Sequence, residues 1–163
     1  YRSANINEKA VKDLKNDKYD ALKIAKAKAT YLSKKNKNKI IITFDTTILH
    51  MKKTIYKCHT KKCCKNTLKS FNNTSHNLYT GMVFMINNTL IRSSLTKSKI
   101  VFKKNKIVDI NNYVEKNFKQ ISSAVGCYNI EGKGKSFFKN IENSYFNVIG
   151  MDIINFLKIL KSI

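Results

Sequence analysis

Every turn in this chain has to be made almost without the two residues that usually make turns. Its 163 residues contain no proline and only five glycines. Reversals must therefore rest on Asn, Asp and Ser, whose side chains hydrogen-bond to nearby backbone and tolerate unusual dihedrals. Clusters of these residues mark the element boundaries. Asn16 or Asp17 can cap a first helix, in which Tyr19, Leu22, Ala25, Ala29 and Leu32 recur at three- and four-residue steps. The other side of that helix carries Lys23, Lys26, Lys28, Lys34 and Lys35. Beyond a polar stretch, Ile40 to Phe44 form a continuous apolar run of the kind found in buried strands, and Asp45 follows directly.

Further along, residues 60–71 read as a second helix with Cys64, Leu68 and Phe71 inward. Leu78 to Ile86 and Leu90 to Phe102 read as a long hairpin turning at Asn87-Asn88. Residues 109–118 give a short helix with Ile110, Tyr113, Val114 and Phe118 on one side. Gly126, Gly132 and Gly134 concentrate backbone freedom in one loop, before a strand-like segment at 136–141. Asp152 can cap a last helix that buries Ile153, Phe156, Leu157 and Leu160. Strands alternating with helices predict an α/β fold, and the length suits one domain around one core.

The formal charge is +22, from 32 basic and 10 acidic residues, which raises a nucleic-acid-binding reading. Yet only Arg2 and Arg92 are arginines, and arginine is the side chain that reads bases and clamps phosphates in a fork. Lys, Asn and Ile share AT-rich codons, so codon bias accounts for the composition without a dedicated basic face. Tyr19, Phe44, Phe71 and Phe118 fit core positions better than a stacking platform. No specific nucleic-acid partner is expected, although so high a charge favours polyanions in general, triphosphates included.

No apolar run approaches the roughly 20 residues that span a bilayer, and no secretory pattern opens the chain. Four cysteines, three of them clustered at positions 58, 63 and 64, do not suggest a secreted disulfide framework. A reduced, cytoplasmic protein without a membrane contact is the expectation. Cys58, His59, Cys63 and Cys64 form a soft-ligand cluster that His76 and Cys127 could join. Their gaps do not repeat as paired ligand knuckles, so structural zinc is not the leading reading. Gly134-Lys135-Ser136 echoes a phosphate loop, but Asn129 stands where the earlier glycine is required.

A spread of acids and lysines carries more chemistry. Asp45 ends the apolar run, Glu8 lies near the start, Glu131 lies in the glycine loop, and Lys28 and Lys57 flank Asp45 in sequence. Splitting a phosphoanhydride needs carboxylates to hold a divalent metal and orient water, and cations to offset phosphate charge. Spacing alone does not separate these residues from the other lysines, and Asp45 alone reads as a turn cap.

The order of segments resembles the Maf family of nucleotide pyrophosphatases. Ile6-Asn7-Glu8-Lys9-Ala10-Val11 is similar to the family's "vDE" segment, and residues 24–29 resemble its "LAxxKA" helix. Ile42-Thr43-Phe44-Asp45-Thr46 is similar to "iGaDt", and Lys57 falls where the family has "KP". Residues 68–79, LKSFNNTSHNLY, follow "LxxLSGxxHxv"; residues 122–134, SSAVGCYNIEGKG, resemble "aGxYxiqGxG"; and residues 140–150 resemble "IxGsyxnVvGlP". These matches are colinear and cover nearly the whole chain.

The resemblance implies a Maf/ITPase-like fold, a mixed central sheet flanked by helices, as a single domain over residues 1–163. It implies cleavage of nucleoside triphosphates between the α- and β-phosphates with Mg or Mn. Asp45 would be the catalytic base or water activator, with Glu8 as a second metal-binding carboxylate. Lys28, Lys57, Glu131 and Glu8 would bind substrate, and a homodimer is possible. The family's "SxSxRR" phosphate loop has no counterpart within these residues, because they begin after it, so the N-terminal strand and phosphate-binding loop are expected to be lacking from residues 1–163. Cys58 replaces the proline after Lys57, Asn72-Asn73 replaces Ser-Gly, and Met151-Asp152 replaces Leu-Pro. An inactive, nucleotide-binding or partner-binding relative is therefore the alternative. Thr46 suits the branch acting on pyrimidine triphosphates and Glu131 the branch acting on methylated GTP, so the substrate stays open.

Overall fold

The computed structural model describes residues 4–11, 14, 15 and 17–162. Asn16, one of the two expected helix caps, lies outside them. Among the described residues the strands form one antiparallel sheet, β2-β1-β3-β4-β5. Its members are β1 (Ile41–His50), β2 (Lys53–Ile55), β3 (Ser75–Ile86), β4 (Thr89–Phe102) and β5 (Phe138–Asn143). The helices are α1 (Asp20–Lys35), α2 (Lys61–Phe71), α3 (Ile107–Ile121), α4 (Tyr145–Val148) and α5 (Ile153–Leu160). The α/β architecture is as expected, but each of these ladders is antiparallel, so the expected mixed sheet has no parallel pair among the described residues.

The hairpin between β3 and β4 forms where the asparagines placed it. Asn87 and Asn88 take φ of 47° and 63°, the left-handed pair a two-residue hairpin turn requires. Asn87 also accepts the Asn38 backbone N–H at 2.8 Å, which ties this turn to the connection between α1 and β1. Helix α2 starts at a capping threonine: the Thr60 side chain accepts the Cys63 backbone N–H at 3.1 Å. Cys64, Leu68 and Phe71 are its buried residues, as the spacing predicts.

Strand alternation divides β1 between two layers. Ile41, Thr43, Asp45 and Thr47 face α1, while Phe44, Thr46, Ile48 and His50 face the other way. On that second face α2 and α3 cover the larger core, which joins Ile48, Leu68, Phe71, Phe102, Ile110 and Val114 with others. On the first face α1 lies close to β3 over Gly81. A methyl group at Gly81 would stand 2.5 Å from the Leu22 Cα, so only glycine permits this approach.

Three expectations are corrected. The buried stripe of α1 is Ala21, Ile24, Ala25 and Ala29, whereas Tyr19 is exposed and Leu22 and Leu32 are half-buried. Small residues face the sheet because the helix packs so near it, which turns the larger ones aside. Asp45 does not end its strand: β1 runs on to His50, and Asp45 pairs with Gly81 in mid-ladder. The Thr-Thr-Ile-Leu continuation is itself β-prone, and no breaker follows Asp45. Helix α5 is capped by Asp152, which accepts the Asn155 N–H at 3.2 Å, but it has no fully buried residue. Phe156 packs on Phe44 and Phe84 and Asn155 donates to Thr96 of β4 at 3.3 Å, while Leu157 and Leu160 stay exposed. Among the described residues no helix is long and apolar enough to cross a membrane.

Candidate active site

Mid-strand placement gives Asp45 a rigid seat. Its backbone is locked in the β1–β3 ladder, and its side chain points at the helix above. There Lys28, on the third turn of α1, reaches down between two carboxylates. Its Nζ donates to Asp45 Oδ1 at 2.5 Å and stands 2.7 Å from Glu8 Oε1. Glu8 comes from a single 3-10 turn, Glu8–Ala10, in the segment that precedes α1. That segment is tied to the helix by Asp20, a buried carboxylate that accepts the backbone N–H groups of Lys15 and Asp17 at 3.0 and 3.2 Å. Strand, helix and N-terminal segment thus converge on one ammonium group.

The electrostatics of the three groups differ. Burial is the largest influence on Asp45 and disfavours its charge. The Lys28 ammonium offsets only part of this, and the carboxyl is pushed up to about 6. Burial also opposes the charge on Glu8, but there the Lys28 hydrogen bond and the fields of Lys28 and Lys57 outweigh it, and its pKa falls. Burial opposes charge on Lys28 as well; the two carboxylates more than compensate and hold it cationic. Asp45, the most buried of the set, is therefore the group poised to exchange a proton near neutral pH.

Glu8, Lys28 and Lys57 line one cavity of about 670 Å³. Its wall also includes Asn36 and Lys39, from the connection between α1 and β1. These two were passed over as part of a polar stretch; their position just before an apolar strand was the available signal. Glu131 does not join the group. It is exposed and lines a separate cavity of about 270 Å³ that also includes Thr46, which points to the opposite face of the sheet from Asp45.

The donor set can be judged for a divalent cation. Glu8 and Asp45 already direct oxygens at one cation, the Lys28 ammonium. Carboxylate oxygens are hard donors that suit Mg or Mn, so the residues fit the metal that the resemblance implies.

The family model for Maf-like proteins matches residues 1–163. The chain belongs to the Maf-like family. A relative named dTTP/UTP pyrophosphatase from Pyrococcus furiosus is 28% identical over 159 residues, covering 97% of this chain and 81% of the relative. Proteins of the same name from Carboxydothermus hydrogenoformans and Clostridium botulinum are 28% and 29% identical, covering 86% and 81% of this chain and 75% and 69% of their own lengths. Hydrolysis of nucleoside triphosphates is thus the reaction class that the names of this Maf-like protein's relatives give.

Proposed function

We propose that this Maf-like protein hydrolyses nucleoside triphosphates to nucleoside monophosphate and pyrophosphate, with pyrimidine triphosphates of the dTTP/UTP type as its substrates. The observation that carries this reading is the Glu8–Lys28–Asp45 set beside a cavity large enough for a nucleotide. The names of its relatives and Thr46 support the pyrimidine choice.

Water attacks the α-phosphorus, the bond from that phosphorus to the bridging oxygen breaks, and pyrophosphate leaves. Asp45 accepts the proton from the attacking water. A carboxyl poised near 6 is ionised at neutral pH and is a stronger base than an ordinary aspartate, which is the balance general-base catalysis favours. Lys28 holds that carboxylate in position, and Glu8 shares the ammonium so that Lys28 does not quench Asp45 alone. Lys57 and Lys39, on the cavity wall, offset charge on the phosphates. A divalent cation such as Mg or Mn, held by Asp45 and Glu8, would supply charge neutralisation at the triphosphate.

The test is pyrophosphate release by the folded full-length protein from dTTP, UTP and modified triphosphates, with Mg or Mn. Release from dTTP or UTP above the purine triphosphates is the expected result. No release from any triphosphate would leave the inactive, nucleotide-binding reading in its place.

A further inference from the structure

All four cysteines of the chain meet at one place. Cys58 lies in the segment leading into α2, Cys63 and Cys64 in the first turn of that helix, and Cys127 in the loop after α3. The Sγ atoms of Cys58, Cys64 and Cys127 all lie within 4.8 Å of one another, and all three residues are buried. The fourth sulfur is bonded to the first, as a Cys58–Cys63 disulfide. This pairing corrects the expectation of a fully reduced chain; the two residues are five apart, and the helix cap at Thr60 folds them together.

Sulfurs around one tetrahedral zinc stand just under 4 Å apart, because each Zn–S bond is about 2.3 Å. The observed limit of 4.8 Å exceeds that by about 1 Å, a contraction that side-chain rotation can supply. Buried cysteines often act as small apolar residues, but three arriving from three segments at one point is more than packing requires. The backbone adds an independent observation. Cys127 is held at a φ of 59°, directly after Gly126 at 85°. A side chain at such a φ is strained, and in this conformation the Cys127 sulfur lies within 4.8 Å of the other two. The surroundings include Ile48, Tyr113 and Phe137; besides one another the sulfurs meet weak partners, the Thr67 hydroxyl at 3.4 Å from Cys58 Sγ and the Cys58 carbonyl at 4.0 Å from Cys64 Sγ.

We propose that the reduced chain binds one soft divalent ion of the zinc type through Cys58, Cys64 and Cys127, with Cys63 as fourth ligand. The Cys58–Cys63 disulfide is then the oxidised, metal-free state of the same site. Conversion is balanced by a thiol reductant. Two small-molecule thiols are oxidised to one disulfide, and the Cys58–Cys63 bond takes up the two electrons and two protons. Each thiol that then ligates the ion releases one proton. The sequence spacing had argued against zinc because it lacks paired knuckles; the fold supplies the missing ligand from residue 127. The site does not depend on the pyrophosphatase reading, and its test needs no turnover.

The experiment uses the full-length protein reduced with a phosphine under nitrogen and titrated with cobalt(II), then zinc. One equivalent of cobalt should give the thiolate charge-transfer band and the intense visible bands of a tetrahedral sulfur site. Zinc should displace it and raise the melting temperature, as ligand linkage requires. Oxidised protein should give neither signal. Cys64→Ser and Cys127→Ser should weaken cobalt binding at least about 10-fold, while Cys63→Ser should still bind one equivalent with a weaker charge-transfer band. Reduced, folded wild-type protein that gives no charge-transfer band and no zinc-dependent rise in melting temperature overturns the proposal, even if the serine variants fail to fold. A band that survives unchanged in both Cys64→Ser and Cys127→Ser overturns it as well.

Discussion

The face of the sheet under α1 and the face under α2 and α3 are packed from different side chains. Under α1 the apolar contacts are few and small: Ala25, Ala29, Val83 and Met85, with Leu22 and Ile41 beside them. The same face buries Thr43 and half-buries the Lys28–Asp45 pair. The opposite face stacks Phe71 against His50, His76, Phe102 and Tyr128 and joins them to the helix cores. His76 there is kept neutral by burial, its pKa lowered to about 3. One face retains charge where it costs stability; the other removes it. The division teaches that stability comes mainly from the aromatic face, and that the α1 face can hold a carboxylate out of water because the rest of the fold tolerates the expense.

Two substitutions test this division by pulling it in opposite directions. Asp45→Asn keeps size and shape but removes the negative charge. It should lower the rate of pyrophosphate release by roughly two to four orders of magnitude. The fold should survive, because the Asp45 backbone pairing with Gly81 does not depend on the charge. Phe71→Ala, on a residue with no exposed surface, should cost about 3–5 kcal/mol of stability and leave the rate per folded molecule nearly unchanged. Rates and melting temperatures measured on the same samples decide the matter. An Asp45→Asn protein that melts early yet turns over normally would make Asp45 structural and break the comparison.

The pH dependence sharpens it further. The Asp45 carboxyl is raised in the folded chain to about 6 from an ordinary value of 3.8. A raised acid favours the folded state at low pH. That contribution is complete below 3.8 and is lost as pH rises through about 6. Two pKa units correspond to about 3 kcal/mol, so stability from this group should fall by about that much across the interval. Glu8, whose pKa is lowered, acts the opposite way: its contribution is present above its ordinary value and is lost as pH falls. Melting curves from pH 4 to 7 should therefore decline less for Asp45→Asn than for the wild type. Turnover should rise over the same interval as Asp45 ionises. Identical slopes for the two proteins would mean that the Asp45 charge is already solvated.

Much of this was legible in the sequence, and what was missed has definite causes. The Asn87-Asn88 turn, the Thr60 helix and the capping role of Asp152 follow from local side-chain chemistry, which sequence records directly. The convergence of Glu8, Lys28 and Asp45 on one ion-paired set was reachable only through the resemblance, since residues 8, 28 and 45 share no local motif. The buried stripe of α1 was misplaced because periodicity finds large apolar residues, whereas Gly81 makes small ones the better fit. Asp45 was set at a strand end because a charge usually stops an apolar run; only the Lys28 partner explains its place in mid-strand. The cysteine cluster was visible in the sequence, with Cys127 as a candidate member, but spacing could not show that Cys127 comes within 4.8 Å of Cys58 and Cys64 while His76 bonds to Tyr128 instead.

The smallest effect expected in the site is at Lys57. Unlike Lys28, whose ammonium is engaged by two carboxylates, Lys57 acts on Glu8 and Asp45 through its field while it lines the cavity wall. Its contact with a triphosphate is one of several lysine contacts, so Lys57→Ala should leave substantial turnover. If it holds phosphate equally in the ground and transition states, KM should rise, on the order of 10-fold, with kcat nearly kept. The variant also withdraws a cation from beside Asp45, which should move the acid limb of the pH profile upward. A rise in KM together with that upward shift assigns Lys57 to the phosphate side of the cavity. A fall in kcat at constant KM would place it in the reaction step instead, and would make the α1 face more concentrated in its chemistry than the comparison holds. Unchanged KM, kcat and pH profile would return Lys57 to the solvated surface, where most lysines of this chain lie.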